Sequence, residues 1–174
     1  PSALATATTR QLTPGSDTYR FRTRAVDKAG NMSRFAVGPA FRITAFDDSH
    51  AAIVDKGTWT TVALTGAYGG AVQHSSAAGT TATLSVPPGT KNVAWVTTRG
   101  PDRGRARVCI DPGPASASCT TVDLYASPTA LRRVVFARPV SPAAAHKVEV
   151  TVLGQKNASS TGTRVDVDAF LTTT

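Results

Sequence analysis

The chain has 174 residues, a formal net charge of +8 and 41% hydrophobic residues, enough for one or two packed cores and too many for wholesale disorder. Val, Ile and Thr together number 47 and Glu occurs once, at Glu149, a balance that excludes a mainly helical protein and points to all-β structure. No run of 18 apolar residues exists, so no membrane insertion is expected, and the basic excess is spread along strands in a chain with only 6% aromatics, so no nucleic-acid partner is expected.

The first alternating run is 19–26. Tyr19, Phe21, Thr23 and Ala25 share one face and Arg20, Arg22 and Arg24 the other, as in a half-buried strand with three Arg toward water. Asp27-Lys28-Ala29-Gly30-Asn31 reads as a turn and 35–43 as the partner strand, with 44–50 joining this block to the next. Ten further strands are predicted at 51–56, 58–64, 70–75, 80–86, 91–98, 104–111, 118–125, 131–138, 146–153 and 163–171. Val148, Val150 and Val152 alternate with Lys147, Glu149 and Thr151, and Ala106, Val108 and Ile110 with Arg105 and Arg107. Ten strands with one buried face each close most simply as two packed antiparallel sheets. No helix is expected, because the Ala-rich piece 142–145 is short and begins with Pro. Neither an internal repeat nor a flexible linker is evident.

No constellation for catalysis is legible. His50, His74 and His146 accompany no Gly-x-Ser-x-Gly elbow, no His-Glu-x-x-His and no phosphate-cradling loop, so an enzyme is not expected. Sugar binding needs flat aromatic surfaces beside polar groups. The residues singled out for it are Tyr68, in the glycine-rich bend 66–70, then His74, Trp95, Arg99 and Tyr125. Trp59 and Trp95 lie inside strand patterns, where core packing is the plainer reading. A packed corner is the alternative for Tyr68. Arg99, Arg103, Arg105 and Arg107 form the densest basic stretch. They suit recognition of acidic glycans, or else a solvated face plus an Arg–Asp pair that fixes the turn at 100–102.

The first block resembles the second half of a fibronectin type III domain. The residues that carry this run from Leu12-Thr13-Pro14-Gly15 through Tyr19-Arg20-Phe21 and Ala25-Val26-Asp27 to Gly30-Asn31 and Ser33, with Leu12 and Tyr19 placed as a tyrosine corner. The resemblance implies about three strands of a partial sheet over 1–46, a fragment of a longer polypeptide, and neighbouring domains of the same polypeptide as partners. Its leftover strands would pack on the second block, fray, or form an edge-mediated dimer through 4–11.

The second block, 47–174, resembles a galactose-binding-like β-jelly-roll module of the carbohydrate-binding kind, found in secreted multidomain proteins, especially of actinobacteria. The resemblance rests on Asp47-Asp48-Ser49, Gly57-Thr58-Trp59, Tyr68-Gly69-Gly70, Val93-Ala94-Trp95, Arg99-Gly100-Pro101-Asp102-Arg103-Gly104 and Val165-Asp166-Val167-Asp168-Ala169-Phe170. It implies a secreted, non-catalytic accessory module for polysaccharide or cell-surface glycan. A structural spacer or adhesion module, or an accessory domain of a secreted hydrolase or protease, is the alternative. It also implies a structural calcium held by Asp47, Asp48 and Asp168, with the first and last strands side by side. The plainer reading has Asp166 and Asp168, at i and i+2 on one face, bonded to turn amides or to Arg105 or Arg107. Cys109 and Cys119 flank one enlarged hairpin and are expected to form a disulfide.

Overall fold

The computed structural model describes residues 12–113 and 118–174. The middle of the enlarged hairpin and the segment 4–11 expected to mediate edge pairing lie outside them. The described residues are all-β, apart from a short 3-10 turn at Tyr68–Gly70.

Fifteen strands follow in chain order: β1 Thr18–Tyr19, β2 Arg22–Thr23, β3 Ala36–Val37, β4 Phe41–Asp47, β5 Ile53–Lys56, β6 Thr60–Ala63, β7 Ala71–Ser75, β8 Thr81–Val86, β9 Asn92–Arg99, β10 Gly104–Ile110, β11 Ser118–Asp123, β12 Ala130–Pro139, β13 His146–Lys156, β14 Val165–Val167 and β15 Ala169–Thr173. Two five-stranded antiparallel sheets, β1-β4-β15-β9-β12 and β11-β10-β13-β8-β5, face each other, and a small sheet β14-β7-β6 stands beside them. Each of the ten strands expected after residue 50 is present.

The core follows from period-2 alternation. Ala82, Leu84, Val86, Ala106, Val108, Val148, Val150 and Val152 line the inner face of one sheet. The other contributes a row of aromatics in register: Phe46 lies opposite Phe170, Phe170 opposite Trp95, and Trp95 opposite Phe136. Trp95 and Phe170 are fully buried, which corrects the assignment of Trp95 to a sugar platform. Its even spacing with Val93 and Thr97 on β9 turns it inward, and no surface remains for a ligand ring.

Three other expectations change. The segment 44–50 is not a simple joint, because Thr44–Asp47 continue β4: Phe41 and Arg42 pair with β1, and Ile43 through Asp47 pair with β15. The last expected strand is two strands in different sheets. β14 pairs with β7, the chain switches at Asp168, and β15 inserts between β4 and β9. The run 19–26 is not half-buried, for Phe21 remains 57% exposed and only Arg22 and Thr23 pair with β3. Among the described residues the Phe41 ring lies against this face, 5.9 Å from Tyr19 and 5.5 Å from Phe21, but no opposing sheet buries it, so the alternation has no core to point into.

The tyrosine corner forms as expected: the Tyr19 hydroxyl donates to the Thr13 carbonyl at 2.7 Å. Cys109 and Cys119 lie directly opposite on β10 and β11 and are bonded.

Candidate functional site

The end of the sandwich where β4 finishes and β15 begins is built around buried charge. Arg103 and Asp166 are both buried and paired at 2.7 Å, and Asp166 also takes Arg164, while Arg103 reaches Asp102. The Ser160 hydroxyl donates within this knot, and the Thr161 amide bonds the Pro101 carbonyl, so the 157–163 loop is clamped onto the 100–104 turn. Gly104 is needed there because a Cβ would collide with the Thr163 backbone. The partners of Asp166 are thus Arg103 and Arg164, not Arg105 or Arg107. Arg105 instead faces Asp123 at 3.4 Å, and Arg107 is exposed.

Asp168 does not share those partners, because the chain changes sheets at that residue. One of its oxygens accepts the Tyr68 amide at 2.7 Å; the other is buried with no partner, as is one oxygen of Asp48. Burial pushes the Asp168 carboxyl up to about 6, and Asp48 and Asp166 add to the rise. Burial and the neighbouring Asp47 push Asp48 up as well. Asp47 lies against Gly69 of the 3-10 turn. Two orphaned, mutually repelling carboxylate oxygens are donors that suit a hard cation. Among the described residues no three His, Cys, Asp or Glu side chains form a ready cage, so backbone oxygens would have to complete the set. The expected set of Asp47, Asp48 and Asp168 does not gather as three metal-binding side chains; a calcium, if bound, would be held by Asp48 and Asp168, neutralise their charge and tie the start of the sandwich to its last strand.

The remaining sequence-selected residues do not converge on one surface. Tyr68 is half-buried, with the Arg132 guanidinium 5.9 Å from its ring centre. His74 sits on β7 opposite Asp166, where burial and then Arg164 lower its pKa. Arg99 and Tyr125 do meet: the guanidinium donates to the Tyr125 carbonyl at 2.8 Å. The 124–126 backbone is laced to Gly100, which donates to the Leu124 carbonyl and accepts from the Ala126 amide.

That lacing shapes a groove of about 580 Å³ where the two sheets part, between edge strands β11 and β12. Arg99, Asp123 and Arg133 line it with Val122, Val135 and neighbouring small residues. Val122 and Val135 also pack on the core, so the floor is rigid and apolar. Sequence reasoning found Arg99 and missed Arg133, because the groove is made by edge strands of opposite sheets and leaves no local pattern. The one available signal was a pair of adjacent Arg at an otherwise apolar strand.

No family model and no curated protein matches this chain. Among solved structures it is similar to part of a Paenibacillus xanthan lyase, with TM-score 0.55 and 17% identity, over 72% of this chain and 12% of that one. It is similar in the same way to a two-domain esterase active on acetylated mannans, with TM-score 0.51 and 17% identity, over 76% of this chain and 36% of the other. The chain therefore spans much less than half of either protein, and at this identity the likeness is one of fold: a β-sandwich that resembles parts of larger carbohydrate-active enzymes.

Proposed function

We propose that this chain is a non-catalytic accessory module of a secreted protein and binds polysaccharide or cell-surface glycan in the groove between β11 and β12. The observation that carries the reading is the groove itself: Val122 and Val135, packed on the core, with Arg99, Asp123 and Arg133 around them, resemble the way sugar sites present an apolar surface to a ring face and polar groups to its hydroxyls. The disulfide is consistent with an extracellular setting, and the fold likeness to parts of carbohydrate-active enzymes supports an accessory role. Asp166 is paired with two Arg, Asp111 with His146, and Asp123, at the groove, with Asn157 and Arg105. The units 1–46 and 47–174 would act together, because β4 belongs to both.

The full chain, screened against a glycan array and by retardation in polysaccharide gels, is expected to bind at least one polymer. Val134→Trp, at an exposed lining position, is expected to fill the groove and abolish binding. Binding that survives this change would place the ligand elsewhere. Uniform non-binding would favour the second reading, a structural spacer. That reading has its own support: Trp95 is buried, so one of the aromatic platforms expected of a stacking site is not displayed.

A further inference from the structure

We infer that the β11–β12 groove selects an acidic sugar, a uronic acid residue within a polysaccharide, and that Arg99 and Arg133 hold its carboxylate. The inference rests on the proposed function and narrows it to one ligand class.

The first ground is charge. Three charged side chains line the groove. Asp123 is already committed: it accepts from Asn157 at 2.8 Å, from the Tyr125 amide at 3.0 Å and from Arg105 at 3.4 Å. Burial would push its carboxyl up, but these donors outweigh burial and hold it below the ordinary value, so it is ionised and its charge is met by Arg105. Arg99 and Arg133 have no acidic partner among the described residues. The groove therefore offers two uncompensated guanidinium groups.

The second ground is a positioned guanidinium. The Arg99 guanidinium is held by its bond to the Tyr125 carbonyl at 2.8 Å, and its Nε is buried, so the plane of the group is set before a ligand arrives. A planar guanidinium fixed on one side presents its remaining donors in the fork that matches a carboxylate.

The third ground is the floor. Val122, Val134 and Val135, with Ala126 and Ala130, offer an apolar bed for the C–H face of one sugar ring, and no aromatic residue is among the lining residues. Recognition by stacking is thus not offered, while recognition by charge is.

Titration calorimetry of the full chain with oligogalacturonate, its methyl ester, a neutral galacto-oligosaccharide and inorganic polyphosphate tests this. The acid is expected to bind, and esterification or Arg133→Gln, at an exposed side chain that leaves the fold intact, to weaken it roughly tenfold or more, as loss of a charge-assisted bond does. Arg107→Gln, on the outer face of β10, is expected to change nothing. Equal affinity for neutral and acidic sugars would overturn the inference and leave the proposed function standing. Polyphosphate binding as tightly as the acid, or Arg107→Gln weakening binding as much as Arg133→Gln, would reduce the effect to net charge and overturn it too. Failure of every sugar to bind would remove both readings.

Discussion

The two ends of this molecule use the same residue types to opposite effect. Before β4, strands are two residues long, and Phe21, Val26, Met32, Phe35 and Val37 are all 42–59% exposed. After β4, strands reach eleven residues, and side chains such as Val150, Trp95 and Phe170 are buried completely. Hydrophobic alternation is present in both. Only the second region has an opposing sheet to receive it, and burial rather than alternation supplies the stabilisation. In the first region local devices substitute: the Tyr19 hydroxyl on Thr13, Asp27 accepting the Ala29 and Asn31 amides, and Arg22 and Arg24 over the Phe35 ring at 4.4 and 5.1 Å. Each is exposed and small beside a buried aromatic.

Truncating an aromatic in each region gives the largest expected difference. Trp95→Ala removes the centre of the aromatic row and is expected to cost about 3–5 kcal/mol, read as a fall in urea midpoint. Phe21→Ala is expected to change stability by less than about 1 kcal/mol. Equal effects would mean that the first region has a core the structure does not show.

Close behind comes the buried charge. Arg103→Met strands Asp166 without its main partner and is expected to cost about 3–5 kcal/mol, whereas Arg24→Met in the first region is expected to be nearly silent. Replacing both members, Arg103→Met with Asp166→Leu, should recover part of the loss; no recovery would mean that the knot acts through packing alone. Reducing the Cys109–Cys119 bond is expected to cost about 2–4 kcal/mol of sandwich stability without changing amide exchange near β1 and β2, because the loop it closes lies wholly in the second region.

The smallest effect is the most diagnostic of the cation reading. Asp168 has a folded pKa of about 6, above its ordinary 3.8, so the folded state keeps a proton that the unfolded chain has lost. Its contribution in EDTA is therefore a loss of stability as pH rises from roughly 4 to 6, with a plateau above. Asp168→Asn should remove that loss, seen as the difference between the two melting-temperature profiles. Calcium should raise the wild-type melt at pH 7 and have little effect at pH 4.5. A melt indifferent to calcium at both would withdraw the ion. The pKa of His146 is raised as well, but by its bond to Asp111 rather than by burial, so its support is complete below about 6.5, while Asp111 stays ionised, and fades as pH rises above it. His146→Gln should flatten the profile there.

How legible this was depended on how local the cause was. The strands of the sandwich and the cysteine pair follow from alternation, turn residues and short-range pairing, all present within a dozen residues, whereas the tyrosine corner is implied by the resemblance to a fibronectin type III domain. Asp48 and Asp168 could be named from the sequence, but the partners of Asp166 could not. Arg103 and Arg164 reach it only because β14 leaves the main sheet and the 157–163 loop folds back on the 100–104 turn.

The amino-acid sequence by itself determined the all-β class, most of the strand set and the cysteine pair, because period-2 burial and turn chemistry act between neighbours. Tertiary structure alone decided that β4 is shared, that the last strand changes sheets at Asp168, and that Arg99 and Arg133 rim one groove. Each depends on which strands lie side by side and which edges part. That is settled by packing two sheets around one core, and no stretch of the chain encodes it alone.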